Sequence, residues 1–307
     1  MPDARILVLK LGAFGNIVLS LGPFAAIRRH HPRAEITVLT TAPYAGWLAS
    51  SPYFDHVLID RRPAWWDIAG VLRLRRTLAG GRFDWVYDLQ TSGRSSRYFR
   101  LFPRHARPSW SGIAPGCSHP DSNPDRNSWH DIERQREQLR LAGIDDVPDP
   151  DLSWCRGDIG RFGLPDPFAL LVPGSSPNRP LKRWPAGRYA ELAMVLRERG
   201  ITPVVVGSRS ESALAAQIGA AVDLTGQTSF GDLADLGRAA RLAVGNDTGP
   251  MHLIATAGCA SVVLFSNDSD PALCAPRGRS VTILRRPDLG DLAVEEVAAT
   301  LPRLVAA

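Results

Sequence analysis

The sequence predicts an α/β protein built from two Rossmann-like domains that face each other across a cleft. The chain has 307 residues, which suits two domains at about 100–200 residues each. Short apolar runs alternate with helical segments, the pattern of mainly parallel sheets with helical crossovers. A segment rich in Pro and Asp, DDVPDPDLSWCRGDIGRFGLPDP, separates two such series. We therefore predict domains at 1–150 and 166–307, joined by a linker at 151–165.

The first half contains four apolar runs that predict strands, at 5–11, 36–41, 56–60 and 84–90. A glycine-bearing loop follows the first run, and an apolar helical pattern continues from it to His30. Residues 107–128 are rich in Pro, Ser, Gly and Asn and predict a long surface loop. The segment WHDIERQREQLRLAGI then predicts a helix that closes at Gly143.

The second half repeats this alternation. Predicted strands are FALLV, TPVVVG, AVDLTG, LAVGND, SVVLF and VTILRR. Predicted helices are GRYAELAMVLRERG, ESALAAQIG, LADLGRAAR, MHLIATAG and a terminal helix at 291–305. We expect a second mainly parallel sheet.

The composition excludes several protein classes. With 44% hydrophobic and 22% charged residues, the chain is neither disordered, nor collagen-like, nor a coiled coil. It contains no apolar run of membrane-spanning length, and its start lacks the pattern of a signal peptide. Four cysteines form no CxxC pair and no disulfide framework. We expect a cytoplasmic globular protein.

Arginine dominates the basic residues, since only Lys10 and Lys182 are lysines. Residues 61–107 carry eleven Arg against three Asp. This excess favours an anionic partner, namely nucleic acid, an anionic membrane surface or a phosphorylated acceptor, although a solvated helix face explains it equally well. The same segment contains a Trp65-Trp66 pair before an apolar, Arg-rich helix. It suits either a membrane interface or packing on the sheet, and we favour packing.

The loop after the first strand is the first candidate binding element. It contains Lys10, Gly12, Gly15 and Asn16. A glycine loop between strand and helix brings backbone N–H groups close to an anion or substrate, although a tight turn alone also explains the glycines. A dinucleotide fingerprint would have GxGxxG and an acidic residue ending the second strand. The chain has neither, which disfavours NAD and FAD.

Three elements of the second half suit a nucleotide diphosphate. A helix start with free N–H groups follows the LAVGND strand and carries Asp247, Thr248, Gly249, Pro250, Met251 and His252. Two hydroxyls and a lysine, Ser175, Ser176 and Lys182, follow the FALLV strand and suit phosphate. Glu211 is placed to hold a ribose, or to complement a helix dipole.

The sequence does not predict a metal site. Asp268-Ser269-Asp270 has the DxD spacing, but nothing nearby completes a metal shell, so we interpret it as a turn. The seven histidines show no HxH or HxxxH spacing, which makes zinc a poor candidate.

Four segments resemble glycosyltransferase family nine, the heptosyltransferases that build the inner core of bacterial lipopolysaccharide. They are ILVLKLGAFGNIVLSLGPFAAIRRHHPRAEITVLT, VYDLQTSGRSSR, LLVPGSSPNRPLKRWPAGRYAELAMVLRERG and VGNDTGPMHLIATAGCASVVLF. The resemblance implies the GT-B fold, with the acceptor in the N-terminal half and the donor in the C-terminal half. It also implies an inverting, metal-independent transfer of heptose or a related sugar from an ADP-sugar to an acidic, lipopolysaccharide core-like acceptor.

The resemblance also implies roles for individual residues. Ser175, Ser176 and Lys182 would hold the phosphates, and Glu211 the ribose. Within the NDTGPMH segment, the residues from Asp247 to His252 would contact the diphosphate through the helix start. Lys10, Gly12, Gly15, Arg94, Ser95 and Ser96 would meet the acidic acceptor. Lys182 would also act in catalysis by stabilising the departing diphosphate.

Asn16 departs from the family pattern, because it replaces the Asp that acts as general base in the GxxGD loop. A carboxamide cannot accept a proton at neutral pH. Either another carboxylate such as Asp88 substitutes, or a different acceptor tolerates a weak base, or the chain is a nucleotide-sugar binding protein with little turnover. We favour the active transferase.

The expected partners follow from this interpretation. They are a nucleotide-sugar donor and an acidic glycolipid acceptor, with no cofactor, no metal and no nucleic acid. We expect a cytoplasmic monomer, with peripheral contact at the cytoplasmic face of the inner membrane as an open alternative.

Overall fold

The computed structural model describes residues 4–176, 179–219 and 222–301. The chain forms two compact units, Met1–Pro150 and Asp151–Ala307. Each unit contains one six-stranded sheet. All the strand pairs found are parallel, so the predicted α/β class is confirmed.

The sheet of unit 1 has the order β3-β2-β1-β4-β5-β6. Its strands are β1 (Arg5–Leu9), β2 (Glu35–Thr40), β3 (His56–Ile59), β4 (Trp85–Asp88), β5 (Ser109–Gly112) and β6 (His119–Pro120). Its helices are α1 (Phe14–Val18), α2 (Leu21–His30), α3 (Ala42–Ala49), α4 (Ile68–Gly80), α5 (Gly93–Tyr98) and α6 (Asp131–Arg140). Leu7, Leu9 and Leu78 pack in one apolar core with the fully buried Trp110.

The sheet of unit 2 has the order β12-β11-β10-β7-β8-β9. Its strands are β7 (Phe168–Val172), β8 (Thr202–Val205), β9 (Val222–Asp223), β10 (Leu242–Asn246), β11 (Ser261–Phe265) and β12 (Val281–Arg285). Its helices are α7 (Ala186–Glu198), α8 (Ser212–Ile218), α9 (Phe230–Ala239), α10 (Gly249–Thr256), α11 (Pro271–Cys274) and α12 (Val294–Ala298). All five residues of β7 and of β10 are buried, as expected of central parallel strands covered on both faces.

Two predictions about elements were wrong. The predicted surface loop at 107–128 contains two strands, β5 and β6, which extend the sheet of unit 1. The predicted continuous helix at 291–305 is interrupted, since α12 covers only Val294–Ala298 and a turn follows it at 299–300; residues 302–305 lie outside the described residues. The strands β5 and β6 are short and carry Pro, Gly and Ser, and this composition hides them from pattern analysis.

The two sheets share one strand order when each is numbered from its own first strand, 3-2-1-4-5-6. In such sheets successive crossovers leave the first and fourth strands in opposite directions, and ligands bind at the carboxyl ends of these two strands. The loops after β1 and β4, and those after β7 and β10, are therefore the places to look for function. Within the described ranges, no helix is long and apolar enough to cross a membrane.

Candidate functional site

An ion pair joins the two central loops of unit 2. Lys182 follows β7 in a short 3₁₀ turn, and Asp247 directly follows β10. The Lys182 Nζ donates to Asp247 Oδ2 at 2.5 Å, and the side chains are only 13% and 7% exposed. This pair places a lysine ammonium at the switch point of the sheet.

Three side chains lie around the Asp247 carboxylate, those of Lys182, Ser269 and His252. Ser269 Oγ donates to Asp247 Oδ2 at 2.7 Å, and His252 Nε2 lies 3.8 Å from Asp247 Oδ1. Burial raises the pKa of Asp247, but the contacts with His252, Lys182 and Ser269 outweigh this effect and lower the pKa to about 2. Asp247 is therefore ionised at neutral pH. The DxD segment is a turn, as predicted, and the sequence analysis missed the role of Ser269.

The start of α10 is open to a ligand. Thr248 is its N-cap residue, but its side chain makes no capping hydrogen bond, and Pro250 occupies the first turn. Thr248, Gly249 and Pro250 are half-buried, whereas Met251 and His252 are buried. Backbone N–H groups at such a helix start attract anions. His252 Nδ1 is buried and has no hydrogen-bond partner among the described residues.

Asn246, the last residue of β10, organises the loops around this site. Its Nδ2 donates to the carbonyl of Pro173 at 2.7 Å. Its Oδ1 accepts from the backbone N–H of Trp184 at 3.0 Å and from the hydroxyl of Tyr189 at 3.1 Å. One fully buried carboxamide thus ties the loop after β7 to the start of α7. The sequence analysis did not select Asn246 as a site residue.

The two predicted serines have different surroundings. Ser175 is 7% exposed, and its Oγ donates to the carbonyl of Arg179 at 3.3 Å. The guanidinium of Arg183 donates to the Ser175 carbonyl at 3.1 Å. Ser176 is exposed, so its hydroxyl is accessible to a ligand.

Glu211 lies against the loops that follow β7 and β8. Its Oε2 accepts from the backbone N–H of Ser208 at 2.6 Å, in a capping box. A Cβ at Gly174 would lie 1.6 Å from Glu211 Oε1, and one at Gly207 would lie 2.6 Å from Oε2. Both glycines leave the room that the carboxylate occupies. The Glu211 side chain therefore caps the 3₁₀ turn before α8 and also lies beside the switch point of the sheet.

Lys10 is buried in unit 1, at 2% exposure. Its Nζ donates to the carbonyl of Leu89 at 2.9 Å and lies 3.6 Å from Asp131 Oδ2. Burial lowers the pKa of Lys10, with the charge of Asp131 opposing. In this structure the Lys10 side chain joins the loops after β1 and β4, and its predicted acceptor contact stays a prediction.

An open cavity of about 790 Å³ lies beside the glycine loop of unit 1. Its lining includes Gly12, Tyr44, Asp60, Arg61 and Arg62, at the carboxyl ends of β1, β2 and β3. Gly12 has φ of +123°, and a Cβ there would lie 3.0 Å from the Tyr44 ring, so this position favours glycine. The sequence analysis did not select the other four residues, which come together only in the folded sheet.

Asn16 and Asp88 lie in contrasting environments. Asn16 is half-buried in α1, and its carbonyl accepts from Ser20 Oγ. Asp88 is fully buried at the end of β4, and its Oδ2 has no partner among the described residues. Burial raises the pKa of Asp88 to about 7, against hydrogen bonds from Ser95, Thr91 and Gln90. Without a rearrangement Asp88 does not contact a bound acceptor.

Arg94 and its neighbours begin α5. The Arg94 guanidinium donates to the carbonyl of Pro63 at 3.2 Å and lies 5.4 Å from the centre of the Trp65 ring. Ser95 is buried and forms a capping box with Ser92, so its hydroxyl serves the helix. The Ser96 hydroxyl is buried without a partner among the described residues.

In the described part of the chain, no three His, Cys, Asp or Glu side chains are grouped so as to hold a metal ion.

Comparison with known proteins identifies the family. The model of glycosyltransferase family 9 (heptosyltransferase) matches residues 71–298, more than two thirds of the chain. The chain belongs to glycosyltransferase family 9. The resemblance inferred from its segments is thus confirmed.

Heptosyltransferases are also among the similar single proteins. Lipooligosaccharide heptosyltransferase 2 of Haemophilus ducreyi is 25% identical over 328 residues, covering 93% of this chain and 90% of that protein. Lipopolysaccharide heptosyltransferase 2 of Escherichia coli is 26% identical over 310 residues, covering 92% and 88%.

Solved structures support the GT-B fold of this family 9 chain. A family 9 glycosyltransferase from Veillonella parvula superimposes with a TM-score of 0.82 at 21% identity, covering 100% of this chain and 99% of the other. The E. coli heptosyltransferase WaaC, solved with ADP, gives a TM-score of 0.77 at 20% identity, covering 98% and 99%.

Proposed function

We propose that this family 9 protein transfers heptose or a related sugar from an ADP-sugar to an acidic, lipopolysaccharide core-like acceptor. The transfer inverts the anomeric carbon and needs no metal ion. Unit 2 binds the donor and unit 1 the acceptor. The relatives named as lipopolysaccharide heptosyltransferases and the WaaC structure solved with ADP support this proposal.

The ion pair at the carboxyl ends of β7 and β10 carries the proposal. The Lys182 ammonium lies beside Asp247, next to the uncapped start of α10. A diphosphate bound there takes up charge-assisted hydrogen bonds from Lys182 and backbone N–H groups of α10. Ser175, Ser176 and His252 provide further polar atoms around it. As the sugar leaves, these groups stabilise the charge that develops on ADP.

Glu211 holds the ribose in this proposal. Its carboxylate lies against Gly174, which follows β7 in the same connection that carries Lys182. A carboxylate accepts two hydrogen bonds from neighbouring ribose hydroxyls, as acidic residues do in other Rossmann-like domains. The proposed phosphate and ribose contacts lie in the loops that follow three neighbouring strands, β10, β7 and β8.

The acceptor occupies the cavity beside Gly12. Arg61 and Arg62 line this cavity and suit carboxylates or phosphates on the acceptor. Gly15 shapes the same glycine loop, and Arg94 reaches the carbonyl of Pro63, which follows the two arginines. We assign Lys10, Ser95 and Ser96 to positioning these loops, because their side chains are directed into the protein.

The reaction forms one bond and breaks another. An acceptor oxygen bonds to the anomeric carbon while the bond from that carbon to the ADP oxygen breaks. A base takes the hydroxyl proton, a contribution of roughly 10²–10⁴-fold. Asn16 cannot take it. Among the cavity-lining residues, Asp60 is 3% exposed and carries a carboxylate, which accepts from the Tyr98 hydroxyl at 2.5 Å. We propose it as the substitute base in preference to Asp88, because Asp88 does not line the cavity.

Asn16 favours a second function, that of a nucleotide-sugar binding protein with little turnover. Donor binding in unit 2 does not depend on Asn16, which lies in unit 1. The donor site therefore stays intact whether or not the chain performs the transfer.

Turnover of ADP-heptose tests the proposal, with ADP release followed with and without a Kdo-lipid A type acceptor. The wild-type chain is compared with Asn16→Asp, Asp60→Asn and Asp88→Asn. We expect slow acceptor-dependent release by the wild type, and a gain of about tenfold or more in Asn16→Asp because a carboxylate accepts the proton.

The variants separate the alternatives. Good turnover by the wild type, lost in Asp60→Asn and unchanged in Asn16→Asp, identifies Asp60 as the base. Donor binding without turnover in either chain favours the binding protein. Absence of both donor binding and turnover contradicts the proposed function.

A further inference from the structure

Large apolar side chains are exposed together on one part of unit 1. Seven such side chains are exposed among the described residues, and four of them, Ile59, Trp66, Ile68 and Leu72, lie within one stretch of 14 residues. Trp66 is 86% exposed and Ile68 71%. Contiguous exposed apolar groups of this kind mark an interaction surface.

Other side chains of the same segment pack against unit 1. Trp65 lies 6.2 Å from Tyr98 between ring centres, and Leu74 and Leu78 of α4 are buried. The sequence analysis favoured packing of the whole segment on the sheet, and this half of the expectation is confirmed. Trp66 and the outer face of α4 do not share in that packing.

Helical spacing brings apolar and basic groups together on this outer face. Ile68, Leu72, Arg75 and Arg76 stand at positions i, i+4, i+7 and i+8, so they lie on one face of α4. Leu74 and Leu78, which face the core, lie on the other side. Trp66 comes directly before the helix.

The charge of this surface is unbalanced. Arg61, Arg73, Arg75 and Arg76 are exposed, and their guanidinium groups form no ion pair or hydrogen bond with any residue that the structure describes. The nearby Asp67 caps α4 by accepting from the Gly70 N–H at 2.9 Å. Unpaired arginines beside exposed Trp, Ile and Leu match a surface that is both anionic and apolar.

We propose that the surface formed by Trp66, Ile68, Leu72 and the arginines of α4 docks on an anionic lipid bilayer. The apolar side chains enter the interfacial region, where tryptophan is favoured, and the guanidinium groups contact lipid phosphates. Nucleic acid matches the arginines but provides no apolar interior for Trp66 and Ile68. An anionic bilayer offers phosphates to the arginines and an apolar interior to Trp66 and Ile68.

The position of this surface suits a protein that draws its acceptor from a membrane. A second cavity, of about 420 Å³, lies along α4 and includes Arg73 and Leu74. It shares Ile59, Asp60 and Arg61 with the proposed acceptor cavity. The docking surface is thus continuous with the proposed acceptor site within unit 1. The docking itself does not depend on any transferase activity.

Sedimentation with lipid vesicles tests the apolar part. The full chain is mixed with vesicles of phosphatidylcholine, with or without phosphatidylglycerol. We expect binding only to the anionic vesicles, and a loss of about tenfold or more in Trp66→Ser/Ile68→Ser. The matched control Leu141→Ser/Met194→Ser removes two exposed apolar side chains elsewhere and keeps wild-type binding.

A second pair of variants tests the charge. Arg75→Gln/Arg76→Gln weakens binding and reduces its salt dependence, whereas Arg277→Gln/Arg279→Gln, which removes two exposed arginines of unit 2, leaves both unchanged. Circular dichroism and donor binding confirm that each variant is folded.

Three results overturn the proposal. One is a wild-type chain that does not bind anionic vesicles. Another is binding that depends on Arg75 and Arg76 but not on Trp66 and Ile68, which indicates a simple polyanion contact. The third is a concentration-dependent dimer, abolished by the Trp66→Ser/Ile68→Ser change and seen without vesicle binding, which assigns the surface to a second copy of the chain.

Discussion

Gly174 determines where the Glu211 carboxylate lies. The added Cβ of Gly174→Ala would lie 1.6 Å from Glu211 Oε1. Because that oxygen ends a flexible side chain, the carboxylate moves away at a modest cost in stability, roughly 1 kcal/mol. The proposed ribose contact moves with it.

We therefore expect Gly174→Ala to weaken ADP binding by about tenfold, the loss of one or two good hydrogen bonds, while thermal stability changes little. Isothermal titration calorimetry and thermal unfolding measure the two effects. Gly187→Ala on α7, where a Cβ would meet nothing within 4 Å, is the matched control and keeps wild-type affinity. Unchanged affinity in Gly174→Ala contradicts the ribose role of Glu211.

Asp88 predicts how stability depends on pH. Burial raises its pKa in the folded chain to about 7, whereas in the unfolded chain it is about 4. Between these values the folded state holds a proton that the unfolded state releases, so this carboxyl lowers stability as pH rises. Asp88→Asn removes the ionisation and keeps the Oδ1 that accepts from the Thr91 N–H.

We expect the stability of Asp88→Asn relative to wild type to increase between about pH 4 and pH 7. Denaturant unfolding at several pH values measures this difference. Asp84→Asn, at an exposed position directly before β4, is the comparison variant. If the difference in unfolding free energy between Asp88→Asn and wild type stays constant across this range, the pKa of Asp88 is not raised in the folded chain.

At the scale of elements, one side-chain carboxamide links β10, the loop after β7 and α7. Asn246 ends β10, donates to the loop after β7 and accepts from Trp184 and Tyr189 at the start of α7. Asn246→Ala leaves the Pro173 carbonyl and the Trp184 N–H buried without this partner, at a cost of about 1–3 kcal/mol for each such group.

We expect Asn246→Ala to unfold about 2–5 kcal/mol more easily and to lose ADP affinity, because the Lys182 turn lies between the loop and α7. Chemical denaturation and ADP titration check both parts. Asn267→Ala, at an exposed position in the turn after β11, provides the comparison for an Asn of unit 2 outside this network. Wild-type stability in Asn246→Ala rules out the linking role.

The sequence predicts elements better where they are long and apolar. FALLV and SVVLF are buried strands as expected, whereas β6 has only two residues and contains Pro120. The same limit holds at the site. Loops after strands were predictable, because the ends of parallel strands meet at one edge. The contact of Asn246 with Pro173 joins residues 73 positions apart, and no local pattern encodes it.

At the scale of the whole molecule, each unit has its own core. The apolar cluster around Leu171 and Trp184 draws only on residues from 169 to 301, and the cluster around Trp110 only on residues from 7 to 117. A sheet with its own core and about 150 residues has the size and composition of an independent domain.

We therefore expect the fragment 151–307 to fold alone and to bind ADP within about threefold of the affinity of the full chain. The proposed phosphate and ribose contacts, from Lys182 to Glu211 and α10, all come from this fragment. Calorimetric unfolding should give one cooperative transition, and titration with ADP measures the affinity. The fragment 1–150 is the matched control and should fold without binding ADP. Binding by that fragment, or its loss from 151–307, would place the nucleotide outside unit 2 and overturn the proposed division of donor and acceptor between the two units.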